Sequence, residues 1–252
     1  MPPSISFSQR DREDDRARLK QLAAEYAVRF VQSGMRVGLG TGSTAYFATR
    51  RIAQLIHDGV LNEIIGFPTS KASWFQAESS GIVLMDDSMP ANLDLTIDGA
   101  DEVDPNLNLI KGGGGALSRE KIVAQASRRE IIAVDDSKLS SALGMHHSLP
   151  IEVAPFGWQS QMRFLESLGG RPKIRTLEDG TQFVTDSGNM IFDCSFDPIT
   201  DPDALAATLS ARAGIIEHGL FIGLATDLIV ASDTGIRHLQ RQGATIGEIF
   251  AD

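Results

Sequence analysis

The stretch Met35-Arg36-Val37-Gly38-Leu39-Gly40-Thr41-Gly42-Ser43-Thr44 decides the fold class of this chain. Its first half is short and largely apolar, which predicts a buried strand, and it ends in a turn of alternating glycines. From Thr44 to Ile56, apolar residues recur at helical spacing and predict a helix directly after the turn. The stretch is therefore a β-turn-α unit, the building block of a parallel sheet.

The same alternation continues on both sides of this unit. A helix is predicted from Leu19 to Ser33, strands at 63–67, 82–85, 93–97 and 130–134, and helices at 70–79 and 118–127. Residues 227–231 and 234–239 look like one more strand and helix. Strands that alternate with helices imply a parallel sheet covered on both faces. The charged residues 1–15 are expected to be a flexible tail or a solvated helix start.

The order of predicted strands and helices changes after Pro150. Strands are predicted at 151–154, 173–177, 183–185, 190–195 and 215–224, with helices at 159–168 and 203–212. Asp186-Ser187-Gly188-Asn189 is the predicted hairpin turn. The pattern is typical of a split βαβ unit, so we expect a smaller α+β domain at 149–222 inserted into an α/β domain of residues 1–148 and 223–252.

Charge and composition exclude several classes of protein. The 252 residues carry a formal net charge of −10, which argues against nucleic acid or an anionic membrane as the main partner. One cysteine, Cys194, excludes an intramolecular disulfide and multi-cysteine metal sites, and it fits a reducing compartment. No segment approaches the ~20 apolar residues of a membrane span, and the polar N-terminus does not resemble a secretory signal. We expect a cytoplasmic protein.

The glycine turn is a candidate phosphate site. Gly38-Leu39-Gly40-Thr41-Gly42-Ser43-Thr44 lies between a strand and a helix, where backbone N–H groups and the helix dipole can hold an anion. A dinucleotide fingerprint is an alternative, although Ser43 stands where its third glycine belongs. A purely structural turn is the third interpretation.

Two acids follow a predicted strand. Asp98 and Asp101 come at the carboxyl end of the strand at 93–97, where open α/β sheets bind their ligands. An acidic turn that caps the next element is the alternative. Metal binding by two aspartates is conceivable, but the chain lacks an obvious histidine-rich partner set.

A run of four glycines, Gly112 to Gly115, separates Lys111 from Glu120. Such a run suits a chain that passes close to a ligand or adopts positive φ angles. Glu120 could act as a general base if a less polar pocket raises its pKa, and Lys111 could stabilise negative charge on oxygen. In isolation, the segment from Ser118 to Lys121 would be an ordinary capped and solvated helix start.

Taken together, these motifs resemble the A-type ribose-5-phosphate isomerase family. The resemblance rests on four ordered motifs and covers all but about the first 15 residues. They are Gly38-Leu39-Gly40-Thr41-Gly42-Ser43-Thr44-Ala45, Asp98-Gly99-Ala100-Asp101-Glu102, Lys111-Gly112-Gly113-Gly114-Gly115-Ala116-Leu117 and Arg119-Glu120-Lys121. It implies a Rossmann-like domain with an inserted ferredoxin-like, split βαβ domain, and a metal-free, cofactor-free interconversion of ribose 5-phosphate and ribulose 5-phosphate. It also implies a homodimer or homotetramer.

The resemblance assigns expected roles to individual residues. Glu120 matches the general base that moves a proton between C2 and C1, and Asp98, Asp101 and Lys111 match the residues that hold the sugar hydroxyls and the oxyanion. Asp98 is the expected proton carrier between oxygens. The substrate-binding set it implies is Lys20, Thr41, Gly42, Ser43, Thr44, Asp98, Gly99, Ala100, Asp101, Lys111, Gly112, Gly113, Gly114 and Lys138, with the two outer lysines at the phosphate end.

Two other functions are weighed against this one. A non-catalytic sugar-phosphate sensor on the same fold would normally bring a helix-turn-helix, whereas residues 1–34 offer one convincing helix. A nucleotide-dependent oxidoreductase is suggested by the glycine turn alone.

Overall fold

The computed structural model describes residues 9–86, 92–243 and 245–249. Its helices are α1 (Gln9–Val28), α2 (Ser43–His57), α3 (Lys71–Ser79), α4 (Leu117–Ala126), α5 (Trp158–Ser167) and α6 (Pro202–Ser210). Its strands are β1 (Arg36–Leu39), β2 (Ile65–Pro68), β3 (Val83–Leu84), β4 (Leu95–Asp98), β5 (Glu102–Val103), β6 (Leu109–Ile110), β7 (Glu130–Asp135), β8 (Leu149–Val153), β9 (Arg171–Ile174), β10 (Met190–Ser195), β11 (Ile215–His218), β12 (Leu220–Phe221), β13 (Asp227–Ser232), β14 (Gly235–Gln242) and β15 (Thr245–Ile249).

The largest sheet has the order β15-β14-β13-β7-β4-β1-β2-β3. Its strands β13, β7, β4, β1, β2 and β3 run parallel, and β14 and β15 add an antiparallel edge. Numbered along the chain, the parallel part has the strand order 3-2-1-4-5-6 of Rossmann folds. The predicted α/β class is confirmed. The order reverses between β1 and β4, and in such sheets ligands bind beyond the carboxyl ends of the strands at this point.

Both faces of this sheet are covered, as near-continuous apolar strands require. On one face, Ala23 and Ala27 of α1 belong to the same buried cluster as Ile131 and Ala133 of β7. On the other face, a second cluster joins the alternate β7 residues to apolar residues of neighbouring strands and of α4; its larger members are Val103, Leu109, Ile132, Val134 and Phe221. Burial on both sides holds the strand ends, and hence the loops that follow them, in fixed positions.

The second sheet has the order β11-β8-β10-β9, and all its pairs are antiparallel. Together with α5 and α6 this is the predicted split βαβ arrangement, with its own apolar core around Leu149, Ile151, Leu165 and Phe192. The predicted turn at Asp186-Ser187-Gly188-Asn189 closes a hairpin, because Val184 pairs with Met190. The chain then returns to the large sheet through β13. The domain boundaries near 149 and 223 stay a prediction.

The predicted helix at 234–239 is wrong, because these residues fall in β14, which pairs antiparallel with β13. A tight turn between Ser232 and Gly235, where Gly235 has φ +127°, reverses the chain and leaves no room for a crossover helix. The edge strand β15 and the two-residue strands β5 and β6 were not expected from the sequence either.

The predicted strand at 215–224 is broken at Gly219 into β11 and β12, which belong to different sheets. A Cβ at Gly219 would lie 2.2 Å from the backbone oxygen of Lys111, so only glycine lets the two segments pass this closely. Residues 183–185 form no strand, and only Val184 among them makes an isolated bridge, to Met190.

The first helix also departs from expectation. Helix α1 ends at Val28, five residues before the predicted stop, because Arg29 and Phe30 continue as tighter turns. Residues 9–15 are its first turns, and residues 1–8 lie outside the described residues. Among the described helices, none has the length and apolar character needed to cross a membrane.

Candidate active site

The site begins where β1 and β4 end side by side. Leu39 pairs with Ile97, so the glycine turn after β1 meets the Asp98 loop after β4. A Cβ at Gly40 would lie 2.2 Å from Asp98 Oδ1, which explains why the turn needs glycine there. The backbone N–H groups of Thr41 and Gly99 donate to Asp98 Oδ1 at 3.1 and 2.7 Å. These bonds fix the Asp98 carboxylate at the switch point of the sheet.

Lys111 lies between two carboxylates. Its Nζ is 2.9 Å from Asp98 Oδ2 and 3.5 Å from Glu120 Oε2, and it donates to the backbone oxygen of Gly99 at 2.6 Å. The side chains of Lys111, Asp98 and Glu120 are all at most 4% exposed. Burial opposes the charged ammonium, but the negative charges of Asp98 and Glu120 outweigh it and raise the pKa of Lys111. Lys111 is therefore a permanent cation inside the site.

Glu120 is the fourth residue of α4 and faces the same ammonium. Burial raises the pKa of the Glu120 carboxyl to about 8, with Lys111 lowering it and the charges of Asp98 and Asp101 raising it. Its Oε2, like Asp98 Oδ2, is buried and has the Lys111 ammonium as its ion-pair partner. A carboxyl group that titrates near neutral pH and lines the cavity is suited to general base catalysis.

The glycine run brings Lys111 and Glu120 together. Gly112 and Gly115 have φ angles of +102° and +82°, and the N–H of Gly115 donates to the backbone oxygen of Gly112 at 2.9 Å. Gly113 donates its N–H to Asp101 Oδ2 at 2.7 Å, and a Cβ there would come within 2.6 Å of Asp101 Oδ1. The run is thus a tight turn that also orients the second aspartate.

The residues predicted for a phosphate end lie near the start of α2. Gly42 has φ +100° and precedes the first helical residue, Ser43, so the first N–H groups of α2 face the site. Lys20 of α1 donates to Ser43 Oγ at 3.2 Å. Lys138 arrives from the short 3-10 turn after β7. The lysines Lys20 and Lys138 and the N-terminus of α2 therefore line the same end of the site.

These groups enclose a cavity of about 210 Å³. Every predicted site residue except Asp98 lines it, and Asp98 lies behind Lys111. The lining residues are Lys20, Thr41, Gly42, Ser43, Thr44, Gly99, Ala100, Asp101, Lys111, Gly112, Gly113, Gly114, Glu120 and Lys138. The volume is below the range typical of drug-sized ligands, so the cavity suits a small polar molecule. A wider groove of about 750 Å³ adjoins it at Lys20 and Thr41.

Sequence reasoning missed two sets of supporting residues. The Thr41 hydroxyl lies 2.7 Å from that of Thr69 and donates to Ser70 Oγ at 2.9 Å, so the loop after β2 braces the glycine turn. Arg175, from the segment after β9, donates to the backbone oxygens of Gly112 and Gly113 at 2.8 and 3.1 Å. Only Ser70 had a local signal, as the start of a capping box at α3.

Within the residues that the structure describes, no group of three or more histidine, cysteine, aspartate or glutamate side chains is arranged to hold a metal ion. The two aspartates considered as metal ligands have other partners: Asp98 meets Lys111, and Asp101 accepts from Gly113. Their surroundings favour the interpretation as a proton-transfer site.

Comparison with known proteins agrees with this geometry. The family model described as Ribose 5-phosphate isomerase A (phosphoriboisomerase A) matches residues 65–235, well over half of the chain. The chain belongs to this family. The ribose-5-phosphate isomerase A of Chloroflexus aurantiacus is 58% identical over 220 residues, which cover 87% of this chain and 92% of that protein.

Solved structures of the family share the fold over about nine-tenths of this chain. Ribose 5-phosphate isomerase from Plasmodium falciparum superposes with a TM-score of 0.87 at 38% identity, covering 90% of this chain and 99% of that one. A D-ribose-5-phosphate isomerase in complex with phospho-erythronic acid also gives a TM-score of 0.87, at 35% identity, covering 89% and 98% of the two chains. Family membership therefore extends over the large sheet and the second sheet.

Proposed function

We propose that this protein interconverts D-ribose 5-phosphate and D-ribulose 5-phosphate through an enediolate, in the non-oxidative pentose phosphate pathway. The observation that carries the proposal is the position of Lys111, whose ammonium lies between the carboxylates of Asp98 and Glu120 at the edge of a small polar cavity. Family membership supplies the substrate, and the buried charges supply a means of moving its protons.

In the proposed reaction, Glu120 removes the proton from C2 of the open-chain aldose. The electrons of the C–H bond form a C1–C2 double bond, and the carbonyl oxygen on C1 becomes an oxyanion next to the Lys111 ammonium. Glu120 then returns the proton to C1, the double bond moves to the oxygen on C2, and a hydroxyl proton passes from that oxygen to the one on C1. Atoms and electrons balance without a co-reactant.

The aspartates divide the supporting tasks. We assign to Asp98 the task of keeping Lys111 charged and oriented, since its Oδ2 lies 2.9 Å from Lys111 Nζ. Its expected role as the proton carrier between the sugar oxygens stays a prediction, because Asp98 does not line the cavity. Asp101 does line it, and it is the carboxylate placed to hold sugar hydroxyls.

The phosphate anchor is assigned to Lys20, Lys138 and the N-terminus of α2. Charge-assisted hydrogen bonds from two lysines and from backbone N–H groups suit a dianionic phosphate. Binding energy from this non-reacting end orients C1 and C2 against Glu120, so it contributes to turnover as well as to affinity.

The test is to measure conversion of ribose 5-phosphate in D₂O with excess chelator. An enediolate route allows the proton held by Glu120 to exchange with solvent, so part of the ribulose 5-phosphate should carry deuterium at C1. Turnover that vanishes with chelator, or a complete absence of deuterium at C1 after many interconversions at equilibrium, would contradict the proposed route. Binding of phospho-erythronic acid without turnover of ribose 5-phosphate would favour the sensor, and thermal stabilisation by nicotinamide cofactors would favour the oxidoreductase.

Assembly and location follow as further proposals. We propose a homodimer or homotetramer that takes no nucleic acid or membrane partner and works in the cytoplasm, where its single buried thiol, Cys194, stays reduced. Sedimentation analysis at micromolar concentration tests the assembly, and a monomer would contradict it.

A further inference from the structure

Helix α4 carries the proposed base but has no cap of its own. The residue before its first turn, Ala116, provides no side-chain hydrogen bond to the helix N-terminus. A helix start without a side-chain cap frays more readily than one capped by Ser, Thr, Asp or Asn. Since Glu120 is only the fourth residue of α4, contacts from outside the helix have to define its position.

Those contacts come from the second sheet. Ser118 donates its hydroxyl to Glu152 Oε2 on β8. Lys121 donates to the backbone oxygen of His218 and to Glu217 Oε1, both at 2.6 Å, on β11. The first turns of α4 are therefore attached to two neighbouring strands of a sheet that carries none of the proposed catalytic side chains.

Glu152 is an unusual residue for the middle of a small sheet. It is 1% exposed, and its other oxygen, Oε1, accepts from Thr185 Oγ1 at 2.8 Å and from Asn189 Nδ2 at 2.9 Å. Buried carboxylates are costly unless donors surround them. Three side chains donate hydrogen bonds to the Glu152 carboxylate, and one of them, Ser118, belongs to α4.

The geometry of α4 links the position of Ser118 to that of Glu120. Two residues along a helix correspond to a rotation of about 200°, so these side chains leave α4 on opposite sides. When Ser118 is held against Glu152, Glu120 is turned toward Lys111. A small rotation of the helix start would move the Glu120 carboxylate relative to the substrate carbons.

We propose that Glu152 is a positioning residue for the isomerase reaction, which acts through Ser118 to hold Glu120 against Lys111 and the substrate. This inference rests on the proposed function, since it assigns the base to Glu120. Glu152 does not line the cavity and touches no reacting atom.

The test compares single variants that remove different donors from the same carboxylate. Ser118→Ala removes the α4 donor to Glu152 and leaves the hairpin donors, whereas Asn189→Ala removes a hairpin donor and leaves the Ser118 hydrogen bond in place. We expect Ser118→Ala to lower kcat about tenfold with KM within about twofold of the wild-type value, because the base is displaced while the phosphate end is intact. Asn189→Ala should lower Tm but keep kcat.

Two further readouts separate positioning from general stability. Displacement of Glu120 from Lys111 removes the ammonium that lowers its pKa, so the midpoint of the pH profile of kcat/KM should move upward in Ser118→Ala and stay in place in Asn189→Ala. Glu152→Gln should recover kcat to within about threefold, because its amide can accept from the hairpin and donate to Ser118 Oγ, whereas Glu152→Ala cannot.

The outcomes are distinct from those that test the function itself. A wild-type protein that does not convert ribose 5-phosphate refutes the proposed function. An active wild type together with a Ser118→Ala variant of unchanged kcat and pH midpoint refutes the positioning role, as does an equal loss of kcat in Ser118→Ala and Asn189→Ala. If Glu152→Ala does not fold, the comparison of Ser118→Ala with Asn189→Ala and Glu152→Gln still decides.

Discussion

Replacement of Glu120 by glutamine is the sharpest test of the site. The amide keeps the size of the side chain but cannot take a proton from carbon. A positioned general base contributes about 10²- to 10⁴-fold to a rate, and each factor of ten corresponds to about 1.4 kcal/mol. We therefore expect Glu120→Gln to lower kcat by about 10²- to 10⁴-fold, or about 3–5 kcal/mol of transition-state stabilisation.

The pH profile adds a second, independent expectation. With a pKa of about 8 for Glu120, about a tenth of the wild-type protein has the base ionised at pH 7, and about half at pH 8. The kcat/KM of the wild type should rise about fivefold between these two values and level off above about pH 9. The residual rate of Glu120→Gln should lack this rise, because the titrating group is gone.

Stability measurements show whether the loss is chemical. The pKa of Glu120 is raised in the folded state, so its contribution to stability falls as pH rises from about 4.5 to about 8. Glu120→Gln should therefore unfold at the same temperature as the wild type or higher at pH 8. The exposed Gln125 of the same helix offers a matched control, and Gln125→Ala should keep full activity. A Glu120→Gln variant with more than about a tenth of wild-type kcat would refute the reasoning.

Three further substitutions test other parts of the molecule. Lys138→Ala should raise KM about tenfold or more with a smaller effect on kcat, since it removes one charged phosphate contact worth about 1.5–3 kcal/mol; initial rates decide. Glu130, whose buried oxygens have no hydrogen-bond partner among the described residues, has a pKa raised by burial and then by the charge of Asp98. Because the folded state disfavours the ionised carboxylate, Glu130 destabilises the protein more as pH rises above about 4.5. Glu130→Gln should therefore raise Tm more at pH 8 than at pH 5, and an equal change at both pH values would contradict this. Gly113→Ala should lower kcat, because the new Cβ displaces Asp101, while Gly247→Ala, with no contact under 3.6 Å, should not.

The parallel sheet and the ends of its strands could be predicted from local patterns. Segments such as 35–44 and 93–101 combine an apolar strand with a glycine or acidic turn. Both the spacing of apolar residues and the turn residues can be recognised within a few positions of sequence. The residues that follow those strands converge because parallel strands end at one edge. This explains why the predicted site residues after β1 and β4 were brought together.

The C-terminal hairpin could not be predicted in the same way. The segment from Gly235 to Gln242 has an apolar spacing that fits either a helix or a strand over so few residues, and its partner β13 decides the outcome. Strands β5 and β6 have two residues each, which is too short for any periodicity.

The supporting residues of the site were beyond local reasoning for a different cause. Arg175 and Glu152 act on backbone and side chains that lie more than 30 residues away in sequence, at Gly112 and Ser118. Nothing near either residue marks it as part of a site, and only the docking of one sheet against the other gives it a partner. Glu130 likewise looks like the polar start of a strand until its burial is known.

The close approach at Gly219 limits which segments of the chain can be deleted. Its backbone oxygen accepts the N–H of Lys111 at 2.9 Å, and its own N–H donates to the backbone oxygen of Pro150 at 2.8 Å. The backbone of Lys111 is therefore hydrogen-bonded to the segment that leads back to the large sheet. The smaller unit, residues 149–222, thus helps to hold Lys111 in position. A shortened enzyme without residues 149–222 would leave the main-chain N–H of Lys111 without its acceptor, so a shortened form has to supply another acceptor to keep the lysine in place.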